Sequence, residues 1–489
     1  MKRHHGVFGL VRAVIAVLAI TSPLRAQGDF TAIDSAVEDQ LRRGGIPGGA
    51  LVIVRGDKVV HARGFGTAGP TTPFYLGSTT KSFTALAVLE LVEDGRVDLD
   101  APVQRYLPWF TLADSAFSRG ITVRQLLMHS GGIPGRAGEY WLDDPDTSTA
   151  AAERHVRRLA AVKPVHGFQY SNANYVTLGL VVEAASGMPY ASYLRARVLE
   201  PLEMRHTHTE RADAVRDGLA TGHRVIFGFP IATVQPADRG DLAAGYLISS
   251  AEDVGHYLVA QLNQGRYAGR QALSSHAVAE MHLSRGNIVP GTDLALGFVI
   301  QDVDGIKTLD ISGSVPAYLS RFVMLPDSGL GVALLANGSG VAAEGHVMDA
   351  TLNVARMVMG RPPVPIKFPL IFGAALALFL SLPLLQLAAA LFSIRRFRRW
   401  REMPETRPRT PARRAFRITL PALGGAALGI VLLVGLPFAF QSYLRIMRLF
   451  QPGLGWAITL SGWFALAWAA TRTVLAMRSL AALTKTGAP

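Results

Sequence analysis

The sequence predicts a mixed α/β domain built on one sheet with a helical insert, followed by three membrane-spanning helices. Three observations predict it. Strand-like runs stand near both ends of residues 29–360, with helices and loops between them. Three long apolar stretches follow Phe368. The formal charge of +13 is also uneven: from Phe368 onward there are 15 Lys and Arg against Glu402 and Glu405, whereas residues 1–367 hold 34 basic and 34 acidic residues.

The N-terminus reads as a signal sequence over residues 1–26. Lys2, Arg3 and Arg12 precede the apolar run Ala13–Ile20, and Leu24-Arg25-Ala26 supplies a cleavage site. The run is short for a bilayer span, which favours cleavage over anchoring. A first helix is expected over Ala32–Arg42. Two strands follow, Gly49–Arg55 and Lys58–Gly64, turning at Gly56-Asp57. Ser78–Asp94 is expected as a helix closed by Gly95, the residue that most readily takes the left-handed conformation past a helix end. Strand patterns return at Ala295–Asp302, Lys307–Ser312, Leu319–Leu325 and Gly331–Ala336, and a last helix at Ala342–Met359. The globular domain is thus read as 29–360.

Residues 361–367, beginning Arg361-Pro362-Pro363-Val364-Pro365, read as a linker to a membrane region, 368–489. Its spans are expected at about 368–394, 418–442 and 454–477, each long enough to cross a bilayer. Ten Arg lie between Arg395 and Arg417, whereas the next connector has only Arg445 and Arg448. The positive-inside rule puts the Arg-rich connector and the C-terminal tail in the cytoplasm. The globular domain is then extracytoplasmic, as the signal sequence independently requires. Because the +13 charge lies wholly in the membrane region, it signals topology and contact with lipid, not nucleic acid. The chain has no Cys, which excludes disulfides, thiolate catalysis and Cys-ligated metal centres.

A serine hydroxyl is a weak nucleophile until a neighbour takes its proton. In Ser78-Thr79-Thr80-Lys81 the lysine stands one helical turn beyond the serine, on the same face. Tyr170-Ser171-Asn172 offers a phenol that can act as a base and an amide that can orient Lys81 and a substrate amide. Ile311-Ser312-Gly313-Ser314 supplies a strand edge with small residues, where the Ser314 and Ser78 N–H groups can form an oxyanion hole. Each triplet alone is weak evidence. His129, His206 and His208 read as structural or solvated, and no metal or cofactor is expected.

Together these motifs resemble the serine β-lactamases and penicillin-binding proteins, in the branch with class C β-lactamases, D-Ala-D-Ala carboxypeptidases and esterases. Four stretches carry the likeness: Leu76–Lys81 with Gly95–Val103; Leu126–Pro134; Tyr170–Asn172 running on to Pro201-Leu202-Glu203-Met204; and Ala244–Asp253. The resemblance covers about 330 residues. It implies an antiparallel sheet flanked by helices plus a helical subdomain, the β-lactamase/transpeptidase-like fold. It implies Ser78 as the acylated nucleophile, Lys81 and Tyr170 as acid/base groups, and Asn172, Ile311, Gly313 and Ser314 at the substrate. One departure stands out. The family's third motif begins with Lys or His, and here that position is Ile311; the chain's single Lys-Thr-Gly, Lys485-Thr486-Gly487, lies past the last span. Ala317 also replaces a usual Gly.

The reading is a membrane-anchored extracytoplasmic serine hydrolase acting through an acyl-enzyme on a small-molecule or peptide ester or amide. Neutral substrates are favoured over penicillins. The rival is a catalytically weakened binding or sensor protein of the same fold.

Overall fold

The computed structural model describes residues 29–139, 148, 150–235, 240–289, 291–365, 370–406, 410–440 and 442–481. The expected signal sequence and Lys485-Thr486-Gly487 lie outside the described residues.

β1 (Gly49–Arg55) is a nearly unbroken apolar run because both of its faces are buried. Ala50, Val52 and Val54 enter one hydrophobic core, and Leu51 and Ile53 the other. It belongs to an eight-stranded sheet. The other strands are β2 (Lys58–Phe65), β3 (Gly286–Val289), β4 (Thr292–Leu294), β5 (Val299–Val303), β6 (Ile306–Val315), β7 (Tyr318–Leu325) and β8 (Leu330–Ala336). They lie in the order β2-β1-β8-β7-β6-β5-β4-β3, antiparallel throughout. Sequence from the two ends of the domain meets where β1 pairs with β8, from Gly49↔Ala336 to Arg55↔Leu330. The short strands β3 and β4 were not expected from the sequence. They extend the β5 side of the sheet with residues too few to show alternation.

Helices α1 (Thr31–Arg43) and α5 (Val341–Val358) cover one face, through Val37, Leu41, Val347 and Val354. The other face carries α2 (Thr80–Glu93), α4 (Ala251–Leu262) and the helical insert, whose central helix is α3 (Asn172–Ser186). α2 is buried from Thr80 to Leu91, so it shows no polar stripe and holds Lys81 inside the protein. The expected helix start is corrected here. Gly77–Thr79 forms a separate 3₁₀ turn, and the α-helix begins at Thr80. Gly95 takes the expected left-handed conformation, φ +67°.

Among the described residues, three helices are long and apolar enough to cross a membrane: Ala377–Glu402, Ala415–Ala439 and Pro452–Arg478. They belong to α6 (Leu370–Glu402), α7 (Pro411–Ile430, extended through 431–439) and α9 (Pro452–Ala481). α6 continues past the expected end at 394 because its Arg run is itself good helix former. α9 packs against both others: Gln386 Nε2 donates to Ser461 O at 2.9 Å, and Arg472 Nη2 to Arg417 O at 3.1 Å. The connector between α7 and α9 contains a further helix, α8 (Leu444–Phe450). The sequence predicts only a loop there. The connector rests on the globular domain, where Ser442 Oγ donates to Glu139 Oε2 at 2.8 Å.

Candidate active site

Two glycines let the chain bring Ser78 to the sheet. Gly77 has φ +60°, and a Cβ on it would fall 2.5 Å from Ser314 N. A Cβ on Gly313 would fall 2.0 Å from Leu76 O. The 3₁₀ turn therefore lies backbone to backbone on β6, which sets the amide of Ser314 beside the start of the Ser78 turn. Hydroxyls fasten it: Thr79 Oγ1 and Ser320 Oγ are 2.9 Å apart, and both reach Leu76 O, at 2.9 and 2.5 Å.

From that turn Ser78 Oγ meets two groups. Tyr170 OH is 2.7 Å away and Lys81 Nζ 3.0 Å. Lys81 Nζ also donates to Asn172 Oδ1 at 2.8 Å and to Ala244 O at 2.5 Å. An ammonium has three N–H donors, and these three acceptors engage them all. That satisfies the condition for keeping a lysine head inside a protein. Asn172 stands beside Lys81, as the sequence predicts, and the Ala244 carbonyl is a further partner that it does not predict. A backbone carbonyl carries no residue signature, and the only hint was that Ala244 opens one of the four family-like stretches.

Tyr170 immediately precedes α3 and is 47% exposed, so its phenol reaches both Ser78 and the cleft. His129 holds it there. His129 is buried with its ring 4.5 Å from the Tyr170 ring, and its Nδ1 accepts from Ser171 N at 3.2 Å and Asn174 Nδ2 at 3.1 Å. Burial first, and the Lys81 charge second, push its imidazole down to about 3, so it packs as a neutral ring. Its backbone stands at φ +52°, rare for a residue with a side chain. Tyr175, also close to Lys81, is no alternative base: burial pushes its phenol far up, and its OH donates to Leu127 O at 3.1 Å.

β6 offers a free edge. β5 pairs with it only as far as Val299↔Asp310, so Ile311–Val315 are bordered by β7 on one side and, among the described residues, by no strand on the other. Ile311, Gly313 and Ser314 line the same cavity as Ser78, Lys81, Tyr170 and Asn172, with a volume of about 940 Å³. Every site residue expected from the sequence is therefore in one cleft. The cations among its described lining residues are Lys81 and Arg321. Arg321 is committed elsewhere: its Nε donates to Asp310 Oδ1 at 3.0 Å, its Nη2 binds the same carboxylate, and its Nη1 reaches Met348 O. Ala317, at the usual glycine position, has φ +81° and donates its N–H to Ser339 Oγ at 2.7 Å. His206 and His208 lie in a different part of the domain, both bonded to Asp217 Oδ2 at 2.9 and 2.7 Å. No group of three metal-binding side chains occurs among the described residues.

A sheet joined from both ends of the domain, a helical insert and a Ser-Lys-Tyr cluster between them define a serine-hydrolase fold of the β-lactamase/transpeptidase type. The chain belongs to the beta-lactamase family, whose profile matches residues 33–355. Among curated proteins it is similar to "Protein flp" of Staphylococcus aureus (strain MW2), 28% identical over 318 residues, covering 62% of each chain. It therefore spans less than two thirds of that relative's length. It is also similar to "Penicillin-binding protein 4" of Amycolatopsis lactamdurans, 31% identical over 320 residues, 61% of this chain and 82% of that one. Among solved structures, the octameric penicillin-binding protein homologue from Pyrococcus abyssi matches with a TM-score of 0.59 and 30% identity, over 69% of this chain and 79% of that one. A D-stereospecific amidohydrolase from Streptomyces sp. matches with a TM-score of 0.55 and 26% identity, over 66% and 98%.

Proposed function

We propose that this chain is a membrane-anchored, extracytoplasmic serine hydrolase that cleaves esters or amides through an acyl-enzyme on Ser78. The observation that carries the reading is the placement of Ser78 Oγ within hydrogen-bond distance of both Tyr170 OH and Lys81 Nζ. Lys81, with its three donors engaged, acts as a fixed positive charge beside the nucleophile. Tyr170, reacting as its phenolate beside the Lys81 charge, takes the Ser78 proton as Oγ attacks the substrate carbonyl carbon. The Oγ–C bond forms, and the N–H groups of Ser78 and Ser314 hold the oxyanion. The bond to the leaving alcohol or amine then breaks, and Tyr170 returns the proton to it. Water attacks the acyl-enzyme in the same geometry, releasing the acid and restoring Ser78. Relatives named as a penicillin-binding protein and an amidohydrolase support acyl transfer of this kind. With Ile311 where the family carries a cation, neutral substrates are favoured over carboxylate-bearing ones.

Anchoring and orientation rest on the three apolar helices and on the ten Arg between Arg395 and Arg417, which the positive-inside rule puts in the cytoplasm. The test has two arms. The detergent-purified full chain is assayed with nitrophenyl acetate and with benzylpenicillin; the ester should turn over with the higher kcat/KM. Reporter fusions at Gly360 and Pro404 should report opposite sides of the membrane. Failure to hydrolyse any ester would overturn the activity, and identical reporter signals would overturn the topology.

A further inference from the structure

The cleft at Ser78 is completed by the membrane region. Phe440, Ile446, Met447 and Phe450, all from the connector between α7 and α9, line the same cavity as Ser78 and Ile311. The connector is fastened to the hydrolase domain at both ends. Ser442 Oγ donates to Glu139 Oε2 at 2.8 Å, the Arg136 guanidinium lies 4.6 Å from the Tyr443 ring centre, and Gln451 Nε2 donates to Glu344 Oε2 at 3.3 Å. The acyl-transfer chemistry has no need of this wall. Ser78, Lys81, Tyr170, Asn172, Gly313 and Ser314 all come from the hydrolase domain. The connector adds apolar surface to a cavity that, at about 940 Å³, is at the upper end of small-molecule sites.

The same end of the bundle also carries the marks of a lipid boundary. Arg448 lies 4.9 Å from the Trp456 ring centre at the start of α9, a pairing suited to the headgroup level. Beside it a β-hairpin of the hydrolase domain, His223–Ile226 with Phe229–Ala232, presents Phe227, Phe229 and Ile231 at 58%, 72% and 50% exposure. The Phe227 ring comes within 3.4 Å of a Cβ built on Gly453, at the first turn of α9. An apolar hairpin tip next to the end of a membrane helix is placed to dip into the lipid surface.

We propose that the substrate is an ester or amide bearing a long apolar chain, drawn from the membrane surface, with Phe440, Ile446, Met447 and Phe450 forming the wall that binds the chain. The proposal rests on the acyl-enzyme reading above and names its substrate class. Ile311 fits the same picture, since it continues the apolar lining up to the reacting serine.

The experiment uses the full chain in detergent micelles and two measurements. In the first, kcat/KM is compared for nitrophenyl acetate and nitrophenyl octanoate in the wild type and in Met447→Ser/Phe450→Ser. A buried methylene is worth a factor of about four, so the wild type should prefer octanoate by about 100-fold or more, and the double variant should lose at least about tenfold of that ratio. In the second, a long-chain alkyl fluorophosphonate with a terminal diazirine is reacted with the wild type and irradiated, and crosslinked peptides are sequenced. The crosslinks should fall within 440–451. An octanoate-to-acetate ratio near one, or crosslinks confined to the hydrolase domain, would overturn the chain-binding wall while acetate turnover still stands for the hydrolase. A variant that speeds both esters equally would make the connector a plug, and that too overturns the proposal. Absence of any phosphonylation at Ser78 would overturn the hydrolase reading and this proposal with it.

Discussion

Replacing Ile311 with His or Lys should shift the protein's preference toward carboxylate-bearing substrates. Ile311 is half-buried on β6 opposite Phe322 and faces the cleft two residues before Gly313. A substrate carboxylate arriving there meets no uncommitted cation among the described lining residues, because Lys81 has three acceptors and Arg321 is bound to Asp310. One charge-assisted hydrogen bond at residue 311 is worth about 1.5–3 kcal/mol, a factor of roughly ten to 150. Part of that is offset by desolvating the new cation on a half-buried strand, so about tenfold is the working expectation. The assay is the ratio of kcat/KM for benzylpenicillin to kcat/KM for a neutral nitrophenyl ester, measured on wild type, Ile311→His and Ile311→Lys. The ratio should rise in both variants. The reasoning is refuted if the wild type hydrolyses penicillin as well as the ester, or if neither variant moves the ratio.

Tyr170→Phe should lower ester turnover by about 10²–10⁴, the usual worth of acid/base assistance, and Lys81→Ala by about 10²–10³, the usual worth of a positioned electrostatic group. The double variant should be little worse than the worse single, since both act on the same Ser78 Oγ; additive losses in kcat/KM would contradict their acting as one unit on that oxygen. Gly313→Ala should cut kcat by about 10² or more, as an error of an ångström in a nucleophile's position commonly does. The added Cβ would sit 2.0 Å from Leu76 O and push the Ser78 turn off β6; near-normal kcat would show that the close packing is not required. His129 makes the fold acid-sensitive. Its unfolded imidazole binds a proton near 6.5 and its folded one only near 3, so between those values the unfolded chain holds more protons and stability falls as pH falls. The slope is about 1.4 kcal/mol per pH unit for this one group. His282, pushed down to about 4 by burial, adds to it. His129→Asn should flatten the fall in melting temperature between pH 6.5 and pH 4, and an unchanged slope would place the acid sensitivity elsewhere.

What was legible in the sequence was whatever side-chain pattern encodes directly. The apolar runs Gly49–Arg55 and Gly331–Ala336 read as the strands that join the sheet, and they are unbroken because their side chains divide between two cores. The three-residue spacing from Ser78 to Lys81 survives the 3₁₀ start of the segment, since either helical turn puts the amine beside the hydroxyl. Three things were not legible. The Ala244 carbonyl that accepts a hydrogen bond from Lys81 is backbone and has no residue signature. The stacking of His129 under Tyr170 joins segments 41 residues apart through a turn with positive φ, which no local pattern foretells. The connector helix Leu444–Phe450 is too short to stand out in sequence from a loop between spans; the flanking Ser442 and Gln451, bonded to Glu139 and Glu344, are what seat it against the cleft.

The most direct test of the central claim is active-site labelling. The full chain and its Ser78→Ala variant are incubated with a fluorophosphonate, digested, and the modified peptide identified by mass spectrometry. The account predicts one phosphonyl group per wild-type chain, on Ser78, and none on a Ser78→Ala chain that retains its wild-type melting temperature. Equal labelling of the two proteins, or a wild-type adduct on any other hydroxyl, would contradict it.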